Sequence, residues 1–302
     1  MSEETKEPLS DLPLRFKNEL ATPDMKIIDG YARFKHSVNP GDLYAAMGSI
    51  KQFYDATQRK VIIYQSTNHR AAYYPGAVHP TVNELGENVC MNKPMFEMIK
   101  PLIESQYYIQ AFEEYHGQEI HFDLDIIRGK TNVNLPHGAI TGWIPLAIPD
   151  LAFDCSQPWI LLNKEDCPEY IKEQVNGKII VNFTERYRNT RLNYFFLNKF
   201  APDLIFTGTE REHWRFCNEW QMTIPHLQVN NFLDLAYALK ESRFLLANQS
   251  QCWNLANAMG TPRILEICEF AQNCIHMIGA HNYGYLHQGA LEYYFRKLDN
   301  IL

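Results

Sequence analysis

Short apolar runs alternate with segments of helical period through the second half of the chain. The runs at 178–183 and 203–206 have the length and apolar content of buried strands, and a helical spacing of apolar residues follows each of them. Strands that alternate with helices in this way predict a parallel sheet with crossover helices. The same pattern predicts further strands at 226–229, 244–247 and 263–267, and helices at 193–200, 210–220, 233–240 and 288–302.

The stretch at 243–262, RFLLANQSQCWNLANAMGTP, carries the most functional information. Its apolar run gives way to polar residues at 248–251, and a helical period then runs to Met259, where Gly260 ends it. A strand that ends in polar residues at a helix N-terminus directs unpaired backbone N–H groups into the crevice where α/β sheets bind phosphates. An ordinary strand-to-helix turn with a polar cap accounts for the same pattern.

The first half of the chain predicts a similar arrangement with less regular spacing. A strand at 25–37 leads through Val-Asn-Pro-Gly-Asp at 38–42 into a helix whose apolar residues continue to Phe53. The pattern then predicts strands at 61–64, around 120–126 and at 159–162, and helices at 95–108 and 163–176.

Asp42 falls at the N-terminus of the helix that follows the first strand. The helix macrodipole stabilises a carboxylate there by about 0.3–1 kcal/mol, and Asp is a preferred residue at helix starts, so capping explains it. The functional interpretation is a general base that faces the crevice.

Two other features of the first half allow both structural and functional interpretations. Asp123 and Asp125 share one face of a predicted strand, where they are edge or capping residues, or else bind a metal or act as acid and base. The irregular segments at 66–94 and 129–149 are long structural loops or acceptor-binding loops, and Asn134 and His137 are the acceptor-binding candidates in the second one.

Composition narrows the class of protein. The formal net charge of −7 argues against a surface built to hold nucleic acid. The seven cysteines include no Cys-x-x-Cys pair, which indicates free thiols in a reducing compartment and neither a zinc site nor a disulfide framework. The acidic N-terminus lacks an apolar core and no run of 18 apolar residues occurs, so we expect a cytoplasmic protein without a transmembrane segment.

Four segments, taken in order, resemble the two-domain GT-B glycosyltransferases and among them the ADP-heptose lipopolysaccharide heptosyltransferase family, glycosyltransferase family nine. They are PGDLYAAMGSIKQF (40–53), KIIVNFTERYRNTRLNYFFLNKF (178–200), DLIFTGTEREH (203–213) and LANQSQCWNLANAMGTPRIL (246–265). The resemblance implies an α/β fold of two Rossmann-like domains that face a central cleft. With 302 residues, we expect an N-terminal arm at 1–24, an acceptor-side domain at 25–165, a donor-binding domain at 166–285 and a C-terminal helix at 286–302.

The resemblance also implies roles for individual residues. Asp42 corresponds to the Asp of the family's Gly-Asp motif, the general base on the acceptor hydroxyl. Arg191 corresponds to the cation that neutralises the donor diphosphate, with Arg186 and Arg188 beside it. The remaining donor-binding residues expected from the four segments are Thr184, Thr207, Gly208, Gln249, Ser250, Gln251, Asn254 and Glu266.

The chain departs from the family in the loop after the strand at 244–247. The family has Asp-Ser-Gly with a His three residues on, whereas this chain has Gln249-Ser250-Gln251 and Asn254. The favoured hypothesis is an inverting transferase that needs no metal or cofactor and moves a sugar from a nucleotide-sugar donor to a glycan or other hydroxyl acceptor. The neutral amides leave two alternatives: a nucleotide-sugar epimerase or hydrolase, or a degenerate protein that only binds a nucleotide or a partner.

Overall fold

The computed structural model describes residues 30–71, 81–129, 139–270, 273–274 and 279–301. The expected arm at 1–24, the start of the predicted strand at 25–37 and the candidate residues Asn134 and His137 lie outside the described residues. The described residues form two parallel sheets, which we call the first and second sheets, with helices packed against them.

The first sheet is built from β-branched and aromatic runs whose buried residues meet around Phe34. Phe34 pairs in register with Ile63 on one side and with Phe122 on the other, and its ring stacks on that of Phe122 at 4.5 Å between centroids. The strands are β1 (Ala32–His36), β2 (Val61–Gln65), β3 (Ile109–Glu114) and β4 (Phe122–Asp123), in the order β3-β2-β1-β4. Its helices are α1 (Pro40–Thr57), α2 (Lys93–Glu104), α3 (Ile126–Gly129) and α4 (Trp143–Ala147).

The second sheet follows the predicted alternation of strands and helices more closely. Its strands are β5 (Ile179–Asn182), β6 (Leu204–Phe206), β7 (Leu245–Asn248), β8 (Arg263–Glu266) and β9 (Asn282–Tyr285), in the order β6-β5-β7-β8-β9 and all parallel. The remaining helices are α5 (Glu169–Val175), α6 (Glu210–Glu219), α7 (Phe232–Glu241), α8 (Gln251–Met259) and α9 (Gln288–Ile301). The apolar face of α9 buries Leu291, Phe295 and Leu298 against this sheet's core.

Several predicted elements differ in the structure. The run at 159–162 is not a strand, because the backbone N–H groups of Trp159 and Ile160 both donate to the carbonyl of Ala258 at the end of α8. The predicted strand at 226–229 is reduced to one bridge between His226 and Phe206. The predicted helix at 193–200 is a 3-10 helix at Phe195–Asp203, and the predicted helix at 163–176 shortens to α5 after a 3-10 turn at Lys164–Asp166.

The aspartates at the end of β4 have a structural role. Lys35 on the neighbouring strand β1 lies 3.2 Å from both Asp123 and Asp125, and Asp125 also accepts the backbone N–H of Ser37 at 3.1 Å. Among the described residues, no group of three or more His, Cys, Asp or Glu side chains is arranged to hold a metal ion. The strand predicted around 120–126 is only two residues long, so the two carboxylates bind a lysine instead of sharing one exposed face.

None of the helices in the described part of the chain is both long enough and apolar enough to cross a membrane. The domain boundaries at 24, 165 and 285 stay a prediction.

The segment between the two sheets lies over α1, because Trp159 donates its indole N–H to the carbonyl of Tyr44 at 2.7 Å and packs edge-on against Phe153 at 5.1 Å.

Gly48, one turn after Tyr44, makes this packing possible. A Cβ atom at position 48 would lie 2.2 Å from ring carbons of Phe153, far inside van der Waals contact. Alanine normally stabilises a helix interior by about 1 kcal/mol relative to glycine. We expect Gly48→Ala to destabilise the protein instead and to lower the free energy of unfolding by about 1–3 kcal/mol, because the Phe153 ring must move.

Chemical denaturation followed by tryptophan fluorescence measures this effect. The matched control is Gly289→Ala in α9, where nothing lies within 4 Å of the added Cβ and stability should hold or rise. Adding Phe153→Ala to Gly48→Ala should recover part of the loss. Equal stability of the two glycine variants would contradict the proposed contact.

Candidate active site

The carboxyl ends of both sheets open onto one cavity. In an open parallel sheet, ligands bind where the strand order reverses, because the loops of adjacent strands diverge there and leave a crevice. The first sheet reverses between β1 and β4, and the second between β5 and β7. The loops after β1, β5 and β7 all line a cavity of about 420 Å³, the main cavity, whose size is typical of small-ligand sites.

Two helix N-termini meet at the main cavity. Asn39 and Pro40 start α1, so Asp42 lies in its first turn, and Ser250 caps α8 by accepting the N–H of Trp253. Gly41 lets the helices approach closely, because a Cβ at that position would lie 2.8 Å from Nδ2 of Asn254. The contact places Asp42 on one wall and the first turn of α8 on another wall of the same cavity.

Asn182, the last residue of β5, ties three loops of the second sheet together. Its side-chain N–H donates to the carbonyl of Thr207 after β6, and its Oδ1 accepts the hydroxyl of Ser250 after β7, both at 2.7 Å. The side chain is 4% exposed, so these bonds form in a poorly hydrated place. Asn182 therefore fixes the relative positions of three cavity-lining segments.

Asn248, the last residue of β7, holds the loop after β5. Its Oδ1 accepts the backbone N–H of Thr184 at 3.0 Å, and its Nδ2 donates to the carbonyl of Arg186 at 2.5 Å. Arg186 and Tyr187 of this loop line the main cavity, and Tyr187 has a left-handed backbone with φ of 54°. Arg186 is the one basic side chain among the cavity-lining residues that the structure describes.

The neutral amides Gln249 and Asn254 make internal contacts. Gln249 donates to Oδ1 of Asn273 at 3.0 Å and accepts the N–H of Cys268 at 2.9 Å. Asn254 donates to the carbonyl of Ser250 at 3.1 Å and contacts the thiol of Cys274. Burial, with a smaller effect of the nearby Asp42 carboxylate, raises the pKa of Cys274 to about 12, so this thiol is neutral beside the cavity.

The turn after β6 contributes a glycine and a buried carboxyl group. Gly208 has φ of 143°, and a Cβ there would lie 2.9 Å from Oε2 of Glu212 and 3.0 Å from the ring of Phe206. Glu212 forms a capping box with Thr209 at the start of α6. Burial raises the pKa of Glu212, while the N–H and hydroxyl of Thr209 partly oppose the shift.

One part of the main cavity is apolar. Met95 and Met98 of α2 face it from the side of the first sheet, and Val229, Phe232 and Leu235 face it from the side of the second. Such a wall binds the apolar face of a ligand, while the polar groups at the strand ends orient its charged part.

The structure brings together most of the predicted site residues. Those that line the main cavity are Asp42, Thr184, Arg186, Thr207, Gly208, Gln249, Ser250, Gln251 and Asn254. Sequence reasoning missed Asn182 and Glu212. A polar residue at the end of the fully buried run Ile-Ile-Val-Asn was a signal for Asn182, and the Thr-x-x-Glu spacing of a capping box was a signal for Glu212.

Arg188 and Glu266 were expected to bind the donor, but they do not line the main cavity. They form an ion pair at 3.0 Å, in which Glu266 is completely buried and also accepts the N–H of Asn189 at 2.6 Å. Tyr194 donates a further hydrogen bond to Glu266. In the structure the pair anchors the loop after β5 to β8, and the two charges compensate each other within the protein.

Arg191 also lies away from the main cavity. Its side chain is 76% exposed and pairs with Glu269 at 3.1 Å, so the cation at the cavity is Arg186 and not Arg191. The acceptor-binding candidates Asn134 and His137 fall outside the described residues.

Comparison with known proteins supports the fold. No protein-family model matches the sequence, and no curated protein is significantly similar to it. Escherichia coli ADP-heptose lipopolysaccharide heptosyltransferase II has a similar structure, with a TM-score of 0.50 and 10% identity over 90% of this chain and 99% of that chain. A family 9 glycosyl transferase from Veillonella parvula gives a TM-score of 0.49 and 11% identity over 89% of each chain. The likeness to the first of these confirms the predicted GT-B fold.

The ion pair of Arg188 with Glu266 gives a testable consequence. Glu266→Gln should lower the free energy of unfolding by about 2–4 kcal/mol, because it leaves the half-buried guanidinium of Arg188 and the donors of Asn189 and Tyr194 without their carboxylate. Denaturant titration measures the loss, and Arg191→Gln, which breaks an exposed pair, should change stability by no more than about 1 kcal/mol. Equal losses in the two variants would show that Glu266 does not compensate a buried charge.

Proposed function

We propose that the protein is a glycosyltransferase that moves a sugar from a nucleoside diphosphate to an acceptor hydroxyl with inversion at the anomeric carbon. The observation that carries the proposal is the position of Asp42 in the main cavity, which it shares with Arg186 and the N-terminus of α8. A base for the acceptor and groups for an anionic leaving group therefore line the same ligand-sized space.

The second sheet supplies groups suited to a diphosphate. The guanidinium of Arg186 offers paired N–H donors to phosphate oxygens, and the first turn of α8 offers backbone N–H groups at the positive end of the helix dipole. The hydroxyls of Thr184 and Thr207 add donors from the neighbouring strand ends. These groups stabilise the negative charge that develops on the leaving nucleotide without help from a metal ion.

The first sheet supplies the base. An alcohol must lose its proton as it attacks an anomeric carbon, and a positioned carboxylate that accepts this proton contributes roughly 10² to 10⁴-fold to the rate. A base on the wall opposite the diphosphate directs the acceptor to the face of the sugar away from the leaving group. Attack from that face inverts the configuration.

The fold likeness and the apolar wall support a nucleotide-sugar as the donor. The solved neighbour of similar fold is named for ADP-heptose, which consists of a nucleoside diphosphate and a sugar. The wall formed by Met95, Met98, Val229 and Phe232 is suited to the flat face of a nucleobase or of a sugar ring. The acceptor is a glycan or another molecule with a free hydroxyl.

One observation favours a second candidate, a protein that binds a nucleotide without turnover. Gln249 and Asn254 stand where the resembling family has an acidic residue and a histidine, and here both amides are engaged with Cys268, Asn273, Ser250 or Cys274. They stabilise the loop and carry no charge. A site with these amides keeps its shape even when no sugar is transferred.

Donor binding is tested with a panel of ADP, GDP, UDP, CDP and dTDP. We expect at least one to raise the melting temperature, because a ligand at 100 times its dissociation constant adds about 2.7 kcal/mol of stability. Arg186→Gln should raise the dissociation constant of that diphosphate by about tenfold or more, since it removes charged hydrogen bonds. The control Arg211→Gln, whose side chain pairs with Glu185 and does not line the main cavity, should bind normally. No stabilisation by any diphosphate would contradict donor binding.

Turnover is tested by release of the diphosphate from a panel of nucleotide-sugars, with and without a glycan acceptor library. We expect Asp42→Asn to bind the diphosphate normally and to lose turnover by about 10² to 10⁴-fold, because the acceptor proton has no base. Asp55→Asn, at the exposed end of the same helix and paired with Lys51, is the matched control and should retain activity. A fully active Asp42→Asn enzyme would reject the base assignment, and release that does not depend on acceptor would indicate a hydrolase.

A further inference from the structure

Asp42 lies between two cavities. On the side of β1, away from the substrate groups, it lines a second space of about 10 Å³, the small cavity, which is close to the size of a single water molecule. His36, at the end of β1, lines the same space. The other described residues around it are apolar and include Leu124, Ile127 and Trp143. His36 and Asp42 are thus the two ionisable residues in the described lining of an otherwise apolar enclosure.

The hydrogen bonds of Gln65 define the tautomer of His36. Gln65 donates through Nε2 to the carbonyls of Val38 at 3.4 Å and Ser66 at 2.9 Å, so its Oε1 must be the atom that faces Nδ1 of His36 at 2.8 Å. An amide oxygen accepts only, and Nδ1 therefore carries a proton. Nε2 is the ring nitrogen whose protonation decides whether His36 is neutral or charged.

The charged groups around His36 favour the charged form. The ring is 2% exposed and lines the small cavity together with Asp42. Burial raises the pKa of Asp125, but the positive charge of His36 and the contacts with Ser37 and Lys35 outweigh it and lower that pKa overall. Lys35 is the other cation of this group and pairs with Asp123 and Asp125. With His36 charged, two cations face three carboxylates; with His36 neutral, Lys35 alone would face them.

Building on the proposed function, we propose that His36 is a positioning residue that pairs as an imidazolium with Asp42 across the small cavity. The pair holds the Asp42 carboxylate directed at the acceptor hydroxyl in the main cavity. Gln65 fixes the ring from behind, so the order is acceptor, Asp42, His36 and Gln65. In the reaction the acceptor proton moves to Asp42 as the new C–O bond forms and the bond to the diphosphate breaks, and His36 keeps its protons throughout.

The pairing is testable without any substrate. Protein labelled with ¹⁵N-histidine gives the protonation state of each ring nitrogen by long-range ¹H–¹⁵N NMR, and the His36 signals are identified by their absence in His36→Gln. We expect both nitrogens of His36 to be protonated at neutral pH in the natural protein. Asp42→Asn should lower the proton affinity of His36 by about tenfold or more, since it removes the opposite charge that the proposal places across the small cavity. Asp55→Asn on the same helix should leave it unchanged.

If His36→Gln fails to fold, the His36 resonances can be identified with Asp125→Asn instead. This variant removes a carboxylate near the imidazole ring, so the His36 resonances are the histidine signals that should change. An unchanged titration of His36 in Asp42→Asn would overturn the proposal, whatever the protein's activity. A lowered proton affinity without any stabilisation by nucleoside diphosphates would support the pair and reject the proposed function instead.

Kinetics of the transferase provide a readout that a merely structural role would not change. His36→Gln should leave binding of the diphosphate intact and lower kcat by about tenfold or more with little change in the KM of the donor, because the Asp42 carboxylate is no longer held toward the acceptor. An unchanged kcat in a folded His36→Gln enzyme would contradict the positioning role.

Discussion

The approach of α1 to α8 at Gly41 is the contact on which the site depends. A Cβ at this position would lie 2.8 Å from Nδ2 of Asn254 and 3.6 Å from Cα of Gln251, so a larger residue would displace the Asn254 side chain from the first turn of α8. Because α1 follows a strand of the first sheet and α8 follows a strand of the second, their separation sets the width of the main cavity. Gly41 and Asp42 are adjacent, so the residue that permits the contact also determines where the carboxylate lies.

Buried amides hold the loops around this contact in place. Asn182 and Asn248 each end a fully buried strand and connect the loops after β5, β6 and β7 through short hydrogen bonds. A carboxylate or an amine at these positions would carry a desolvation penalty, whereas an amide satisfies donors and acceptors at once. Gln249 does the same for Cys268 and Asn273. The neutral character of these amides thus has a clear structural consequence, a well-anchored loop with few charges.

The sequence predicted the elements that bury residues on both faces and failed on those that do not. The strands β2, β5 and β7 carry continuous apolar runs and were predicted within a few residues. The missed strands β3 and β9 have the sequences Ile-Gln-Ala-Phe-Glu-Glu and Asn-Tyr-Gly-Tyr, which mix polar residues with apolar ones because these strands are only partly buried. The run at 159–162 was wrongly predicted as a strand, because an apolar segment that packs on the end of α8 has the same sequence pattern as a buried strand.

The candidate site shows the same division between local and long-range information. Asp42 and the residues from Gln249 to Asn254 were predicted because each follows a recognisable strand and precedes a helix. The arginines were not separable by sequence: Arg186, Arg188 and Arg191 lie within six positions, yet one lines the cavity, one is neutralised by Glu266 and one is exposed. Their partners Glu266 and Glu269 lie about 78 positions away, and only the pairing of β7 with β8 brings them near.

The distribution of charge around Asp42 bears on how such a base would work. Asp42 lies in the first turn of α1, at the positive end of the helix dipole, and shares the main cavity with Arg186. Positive groups of this kind reduce the tendency of a carboxylate to take a proton from an unreactive alcohol. Glycosyl transfer tolerates a weak base, because the bond to the leaving diphosphate stretches early and the sugar acquires oxocarbenium character. The acceptor hydroxyl becomes acidic as it bonds to that cationic carbon, so a well-oriented carboxylate serves the reaction without being a strong base.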